Sequence, residues 1–122
     1  MYNDHEKFLL YSGQHYSVFF HAETNQFSSV HDYFEGCDYQ TQSSLLFFAK
    51  VISGTGRLYD DTKFRIEDKK NKIYCFKPRS ERFFCFFFTG KKIIITSAHP
   101  KKKQKLDRRE LEKAINIKKQ YP

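Results

Sequence analysis

The chain has 122 residues, of which 39% are hydrophobic and 18% aromatic, and it carries a net charge of +8. This length fits a single domain over residues 1–122, and the apolar content excludes extensive disorder. There is no apolar run of membrane-spanning length and no signal-peptide pattern, so we expect a cytoplasmic protein without a membrane partner.

The N-terminal region is expected to begin with a short hairpin. Residues 1–7 are polar, and we expect them to be frayed. The aromatic stretch Tyr16–His21 is typical of a strand, and Phe8–Tyr11 can pair with it through a turn at Ser12-Gly13.

Two helices are predicted next. Ser29 can cap the first of them, and Gly36 is expected to end it. From about Thr41 to Ser53, apolar residues recur at helical spacing, which predicts a second helix. The segment Gly54-Thr-Gly56 is expected to end this helix, because glycine is favoured just past a helix end.

The chain then changes to a strand pattern. Phe64–Glu67 predicts a short strand, and three stronger strands are predicted at Ile73–Lys77, Arg82–Phe88 and Lys92–Ala98. Arg82–Phe88 is apolar at nearly every position, which favours a central strand covered on both faces.

The C-terminal segment combines a lysine-rich run with a helix. The run contains Lys101, Lys102, Lys103 and Lys105. Asp107 and Glu110 resemble a capping box, so a helix is predicted within residues 107–120. The elements together predict an α+β fold in which two N-terminal helices pack on an antiparallel β-meander, followed by a C-terminal helix.

Positive charge is concentrated in the second half of the chain. Residues 1–56 contain two basic and six acidic side chains, whereas residues 57–122 contain 20 basic and eight acidic ones. This asymmetry favours a polyanionic partner such as RNA, although a solvated lysine-rich surface would give the same composition. The three cysteines show no metal-ligand spacing, and we expect neither a metal nor a small-molecule cofactor.

Two turns predict a strand register. Gly90-Lys91 suits a two-residue hairpin loop, which places Arg82 opposite His99. Pro78–Glu81 suits a four-residue loop, which places Lys77 opposite Arg82. Cross-strand partners share a face of the sheet, so Lys77, Arg82 and His99 are expected to form one row.

The same register extends along the strands. It predicts that Phe86 lies opposite Ile95 and that Cys75 lies opposite Phe84. It also places Cys75 and Cys85 on opposite faces, which argues against a disulfide between them.

The predicted row is a candidate phosphate site. Lys77 and Arg82 suit charge neutralisation, and His99 suits proton transfer because an imidazole titrates near neutral pH. The lysine run, Lys101, Lys102, Lys103 and Lys105, would bind the flanking phosphates of a nucleic acid. The alternative is that these are exposed strand ends, which are often charged without a function.

Five pieces of the chain, in this order and spacing, resemble HigB-like toxins of the RelE/ParE superfamily, in its phage-derived branch. The pieces are Ile73–Lys77, Arg82–Phe86, Ile93–Ile95, Lys101–Lys105 and Arg108–Ala114. Lys77 stands where that branch has an arginine and Cys75 where it often has a glutamate, and His99-Pro100 replaces apolar residues.

The resemblance implies a RelE-like fold and the toxin half of a type II toxin–antitoxin pair. It further implies an endoribonuclease that cleaves mRNA on the ribosome without metal, and a helix-turn-helix antitoxin with an acidic or amphipathic segment as partner. Three other functions stay open: a non-catalytic RNA-binding module, a degenerate toxin and a ParE-like gyrase inhibitor.

Overall fold

The computed structural model describes residues 8–102 and 106–122. Within these ranges the helices are α1 (Ser29–Glu35), α2 (Tyr39–Thr55) and α3 (Arg108–Lys118). The strands are β1 (Leu9–Ser12), β2 (Ser17–Phe20), β3 (Phe64–Asp68), β4 (Ile73–Phe76), β5 (Glu81–Phe88) and β6 (Lys92–Pro100). The expected fraying of residues 1–7 and the predicted contacts of Lys103 and Lys105 lie outside the described residues.

The six strands of the described residues form one mixed sheet in the order β1-β2-β6-β5-β4-β3. Strand β2 runs parallel to β6, and the other neighbours are antiparallel. The prediction of a central strand at Arg82–Phe88 is confirmed, because β5 lies between β6 and β4. The fold is therefore α+β, with a larger sheet than the meander alone.

The predicted placement of two N-terminal helices on the meander is not the observed one. A hairpin of β1 and β2 precedes the helices and joins the sheet through β6. Helix α1 packs mainly on β6, whereas α2 packs mainly on β1. The helix α2 packs there because the hairpin has an apolar face, including Val18 and Phe20, that has to be buried. Leu45 and Ile52 of α2 lie in the same core as these two residues.

The helix ends differ from the predicted ones by a few residues. Ser28 caps α1, because its Oγ accepts a hydrogen bond from the His31 N–H at 3.1 Å, while the Ser29 hydroxyl donates to Glu23 instead. Helix α2 ends at Gly56, whose φ of +86° is the left-handed conformation that glycine favours. Gly54 therefore lies inside the helix.

The sheet carries a core on each face. The face towards α1 and α2 buries Cys85, and the face towards α3 buries Cys75, so the prediction that these thiols lie on opposite faces is confirmed. Tyr121 closes the α3 side: its ring lies 5.0 Å from that of Phe86, and its hydroxyl is 2.7 Å from Nδ1 of His21. None of the helices in the described residues has the length and apolar character needed to cross a membrane.

The register between β5 and β6 changes along the hairpin. Arg82 pairs with His99, as predicted, but Phe86 pairs with Ile94, so its predicted pairing with Ile95 is wrong. The ladder places three residues in the turn, 89–91, rather than two, and one extra residue, Thr96, then bulges from β6. The bulge restores the predicted register at the far end of the strands.

Candidate functional site

A pocket of about 280 Å³ opens at the end of β4, β5 and β6, on the face of the sheet that α3 covers. Five cationic side chains contribute to its lining: Arg65, Lys77, Arg82, Lys101 and Lys102. Two carboxylates, the buried imidazole of His99 and three less polar side chains complete it. Excess positive charge in a concave site favours an anionic ligand.

The sequence-predicted row is brought together in this pocket. Arg82 and His99 are cross-strand partners on β5 and β6, and Lys77 directly follows β4, whose Cys75 pairs with Phe84 as predicted. Lys77, Arg82 and His99 all line the pocket. The β4–β5 hairpin, together with the bulge in β6, places them on one face of the sheet, although this placement does not define a chemical role.

Lys77 is held by a carboxylate that the sequence reasoning missed. Its Nζ lies 3.5 Å from Oε1 of Glu67, and the same oxygen lies 3.3 Å from Nε of Arg65. Glu67 and Lys77 are both mostly buried, which limits competition from water. Arg65 and Glu67 stand two residues apart on β3, so period-two alternation was the available signal.

The guanidinium of Arg82 is oriented by the backbone. One of its terminal nitrogens, Nη1, donates to the carbonyl oxygens of Arg79 at 3.0 Å and Glu81 at 2.7 Å. A guanidinium has five N–H donors, so Arg82 has further donors with which it can bind an anion in the pocket. The Glu81 side chain in turn accepts a hydrogen bond from the hydroxyl of Tyr33, which ties this end of β5 to α1.

His99 is 7% exposed and lies between β5 and α3. Its ring centroid is 5.2 Å from that of Phe84, and its Nδ1 is 3.8 Å from Oε1 of Glu110. Burial lowers the pKa of His99, while the carboxylate of Glu110 opposes that effect. The lowered pKa favours a neutral imidazole at pH 7, the form that can accept a proton.

The lysine run is placed only in part. Lys101 and Lys102 are exposed and line the mouth of the pocket. The Nζ of Lys102 lies 3.9 Å from Oδ2 of Asp107, an exposed pairing that constrains the lysine weakly. The backbone N–H of Lys101 donates to the carbonyl oxygen of Ser80 at 2.8 Å, which fixes where the run leaves the sheet.

Cys75 lies among the lining residues but is 1% exposed. Burial raises the pKa of its thiol to about 12, and the Glu67 carboxylate adds to this effect. The thiol therefore stays protonated at neutral pH and is not an activated nucleophile. Within the described residues, no group of three or more His, Cys, Asp or Glu side chains is placed to hold a metal ion.

Comparison with known proteins places the chain in a family. No curated protein matches it significantly. The family model described as "Phage derived protein Gp49-like (DUF891)" matches residues 32–119, well over half of the chain and including the whole pocket lining. The chain therefore belongs to the Gp49-like family of phage-derived proteins, a RelE/toxin-like family associated with the toxins of toxin–antitoxin pairs.

Proposed function

We propose that this chain is the toxin of a type II toxin–antitoxin pair and cuts mRNA on the ribosome as a HigB-like endoribonuclease with a RelE-like fold. The observation that carries the proposal is the convergence of Lys77, Arg82 and His99 on one pocket. Membership in the Gp49-like family supports the toxin part of the proposal.

The proposed reaction uses a nucleophile that RNA itself supplies. A ribose 2′-oxygen attacks the adjacent phosphorus, and the bond from phosphorus to the 5′-oxygen of the next nucleotide breaks. The 2′-hydroxyl loses a proton and the leaving oxygen gains one, so protons balance without a redox step or a co-reactant. The protein has to hold the backbone in line and stabilise the charge that develops on the phosphorane.

The pocket residues match these tasks. Arg82 can contact two phosphate oxygens at once, because its planar fork fits an anion in a bidentate manner. Lys77 adds a point charge once it exchanges the Glu67 carboxylate for phosphate. A neutral His99 takes the proton of the 2′-hydroxyl, and its protonated form can return a proton to the leaving oxygen.

The exposed lysines would act outside the reacting phosphate. Lys101 and Lys102 stand at the mouth of the pocket, where a continuing RNA strand would pass. Contacts of this kind position the backbone without reading its sequence. We propose the same role for Lys103 and Lys105, and that ribosomal RNA is a further partner for the run.

The second proposed partner is an antitoxin. A helix-turn-helix protein with an acidic or amphipathic segment would cover the cationic pocket in the cytoplasm and keep the toxin inactive. Such a contact is steered by charge and weakens as salt is added.

A non-catalytic function is the second candidate, and one observation favours it. The Nζ of Lys77 is already paired with Glu67 in the pocket, so the anion has an internal competitor. A degenerate toxin with this arrangement would bind RNA without cutting it.

The deciding experiment is induced expression of the chain with mapping of transcript ends. The proposal expects growth arrest and new 5′ ends inside translated messages, with no new ends in untranslated RNAs of the same cells. Arrest with bound RNA and no new ends would favour the non-catalytic module, whereas arrest with inhibited DNA supercoiling would favour a ParE-like gyrase inhibitor.

A further inference from the structure

Two buried polar atoms face each other beside the pocket without hydrogen bonds. They are Nδ1 of His99 and Oε1 of Glu110, which have no hydrogen-bond partner among the described residues. Their separation is 3.8 Å, whereas an N–H···O bond spans about 2.7–3.2 Å. Buried polar atoms are almost always bonded, and each of these two atoms is the ion-pair neighbour of the other.

Helix α3 holds Glu110 against this position. Asp107 caps the helix, and its Oδ1 accepts from the N–H groups of Arg109 at 3.0 Å and Glu110 at 3.3 Å. The next residue, Leu111, is buried in the core between α3 and the sheet. In a capping box the Glu110 side chain would bond back to the Asp107 N–H, but its Oε1 is directed at His99 instead.

We infer that Glu110 is a positioning residue for His99: its carboxylate accepts a hydrogen bond from the Nδ1–H group and leaves Nε2 as the nitrogen that acts in the pocket. The inference rests on the proposed function in assigning His99 a proton to transfer. A lone pair on Nδ1 would face a carboxylate oxygen and be repelled, so Nδ1 carries the proton. When Nε2 gains a proton from the 2′-hydroxyl, the adjacent carboxylate stabilises the imidazolium.

Among the charged groups around His99, Glu110 is the one placed to accept a hydrogen bond from Nδ1. Asp107 of the same helix cap is the second carboxylate that raises the pKa of His99, whereas Arg82 of β5 and Lys102 after β6 lower it. The ring of Phe84 covers the imidazole and offers no acceptor. Of these groups, Glu110 is the one that an ion-pair distance joins to His99.

The test is a pH titration of the His99 ring nitrogens by ¹⁵N NMR in the full chain. Wild type is compared with Glu110→Gln, which keeps the shape, and with Glu110→Ala, which removes the acceptor. Glu112→Gln is the matched control, because this exposed carboxylate lies two residues further along α3. Thermal melts establish that each variant is folded.

We expect wild-type neutral His99 to be protonated at Nδ1. In both Glu110 variants the pKa of His99 should fall, and in Glu110→Ala the preference for the Nδ1 proton should be lost. Cleavage of ribosome-bound message should fall on the order of tenfold in Glu110→Gln, with the acidic limb of its pH profile moved to lower pH. Glu112→Gln should match wild type in every measurement.

The positioning role is overturned if the His99 pKa and its protonated nitrogen are the same in wild type and Glu110→Ala. It is equally overturned if neutral wild-type His99 carries its proton on Nε2. The NMR titration needs no RNA. A wild-type chain that does not cleave RNA therefore counts against the proposed function alone, and the titration still decides the role of Glu110.

Discussion

Arg82 and His99 are direct cross-strand partners at the pocket end of β5 and β6, and a bulge at Thr96 lies between them and the turn. Antiparallel partners project their side chains to the same side of the sheet, so the guanidinium and the imidazole share one rim. A fixed cation and a neutral base on one rim are two of the groups that the proposed cleavage of RNA would use.

Replacing Arg82 by alanine should abolish most cleavage without unfolding the protein. The side chain is at a strand end and leaves no core cavity, whereas losing one preorganised contact to a developing charge costs on the order of a hundredfold in rate. Lys77→Ala and His99→Ala should lower the rate in the same direction. Cleavage of ribosome-bound message and thermal melts are the measurements.

Ser80→Ala is the control for these variants, because Ser80 lies in the adjoining turn and contributes its backbone carbonyl rather than its hydroxyl. It should cleave like wild type. Full activity in both Arg82→Ala and His99→Ala would eliminate the proposed site.

Glu67→Gln should strengthen RNA binding. The substitution removes the carboxylate that pairs with Lys77 and Arg65 and leaves a neutral group of the same shape. Two cations then face the ligand without an internal competitor, so we expect several-fold tighter binding of a non-cleavable RNA and a steeper salt dependence. Fluorescence anisotropy at two or more salt concentrations measures both quantities.

Asp68→Asn, one residue further along β3 and bonded to Asn71 rather than to a pocket cation, is the comparison for Glu67→Gln. Asp68→Asn also removes one negative charge, so comparing the two variants separates the effect of the Glu67 contact on RNA binding from the effect of net charge. An equal increase in RNA affinity in the two variants would mean that Glu67 does not compete with RNA for Lys77 and Arg65.

Two glycines should respond to alanine in opposite directions. A Cβ at Gly13 would lie 2.6 Å from the carbonyl carbon of Ser53, where the β1–β2 turn approaches α2. Gly13→Ala should therefore lower the free energy of unfolding by about 1–3 kcal/mol. Gly54 lies inside α2 with no neighbour within 4 Å of an added Cβ, and Gly54→Ala should raise stability by up to about 1 kcal/mol. Urea denaturation of both variants measures the difference, and a stabilised Gly13→Ala would contradict the close approach.

Stability should fall as the pH drops below about 6.5, the pKa of an unfolded histidine. Burial lowers the pKa of His21 and His99 in the folded chain. Between the pKa of the unfolded chain and the lower pKa of the folded chain, the unfolded state therefore binds more protons than the folded state. The contribution of these histidines to stability is fully present above this pH range and is lost as the pH falls through it. Urea midpoints at pH 7.5, 6.5 and 5.5 measure the slope.

In His99→Gln one of the two buried imidazoles is gone, so its stability should depend less steeply on pH over the same range. A wild-type protein whose urea midpoint stays constant or rises from pH 7.5 to 5.5 would show that burial does not keep these histidines neutral.

Local signals predicted the three strands of the meander and the pairing of Arg82 with His99, but not the order of the whole sheet. The pairing of Arg82 with His99 was predicted from a two-residue turn, and it holds because the bulge at Thr96 offsets a turn that is one residue longer. The bulge at Thr96 has no comparable signal, because one extra residue in an apolar strand leaves the composition unchanged. The parallel pairing of Val18 with Ile93 joins segments distant in sequence, and the place of Glu110 beside His99 depends on how α3 docks. Tertiary packing decides both relationships.

The position of α3 in the chain has a consequence for synthesis. The segment from β3 to β6 contains Lys77, Arg82 and His99, whereas Glu110 belongs to a helix that is translated after them. A nascent chain therefore holds the pocket cations before it holds the carboxylate opposite the imidazole. The order of translation delays the complete site until α3 has left the ribosome and docked on the sheet.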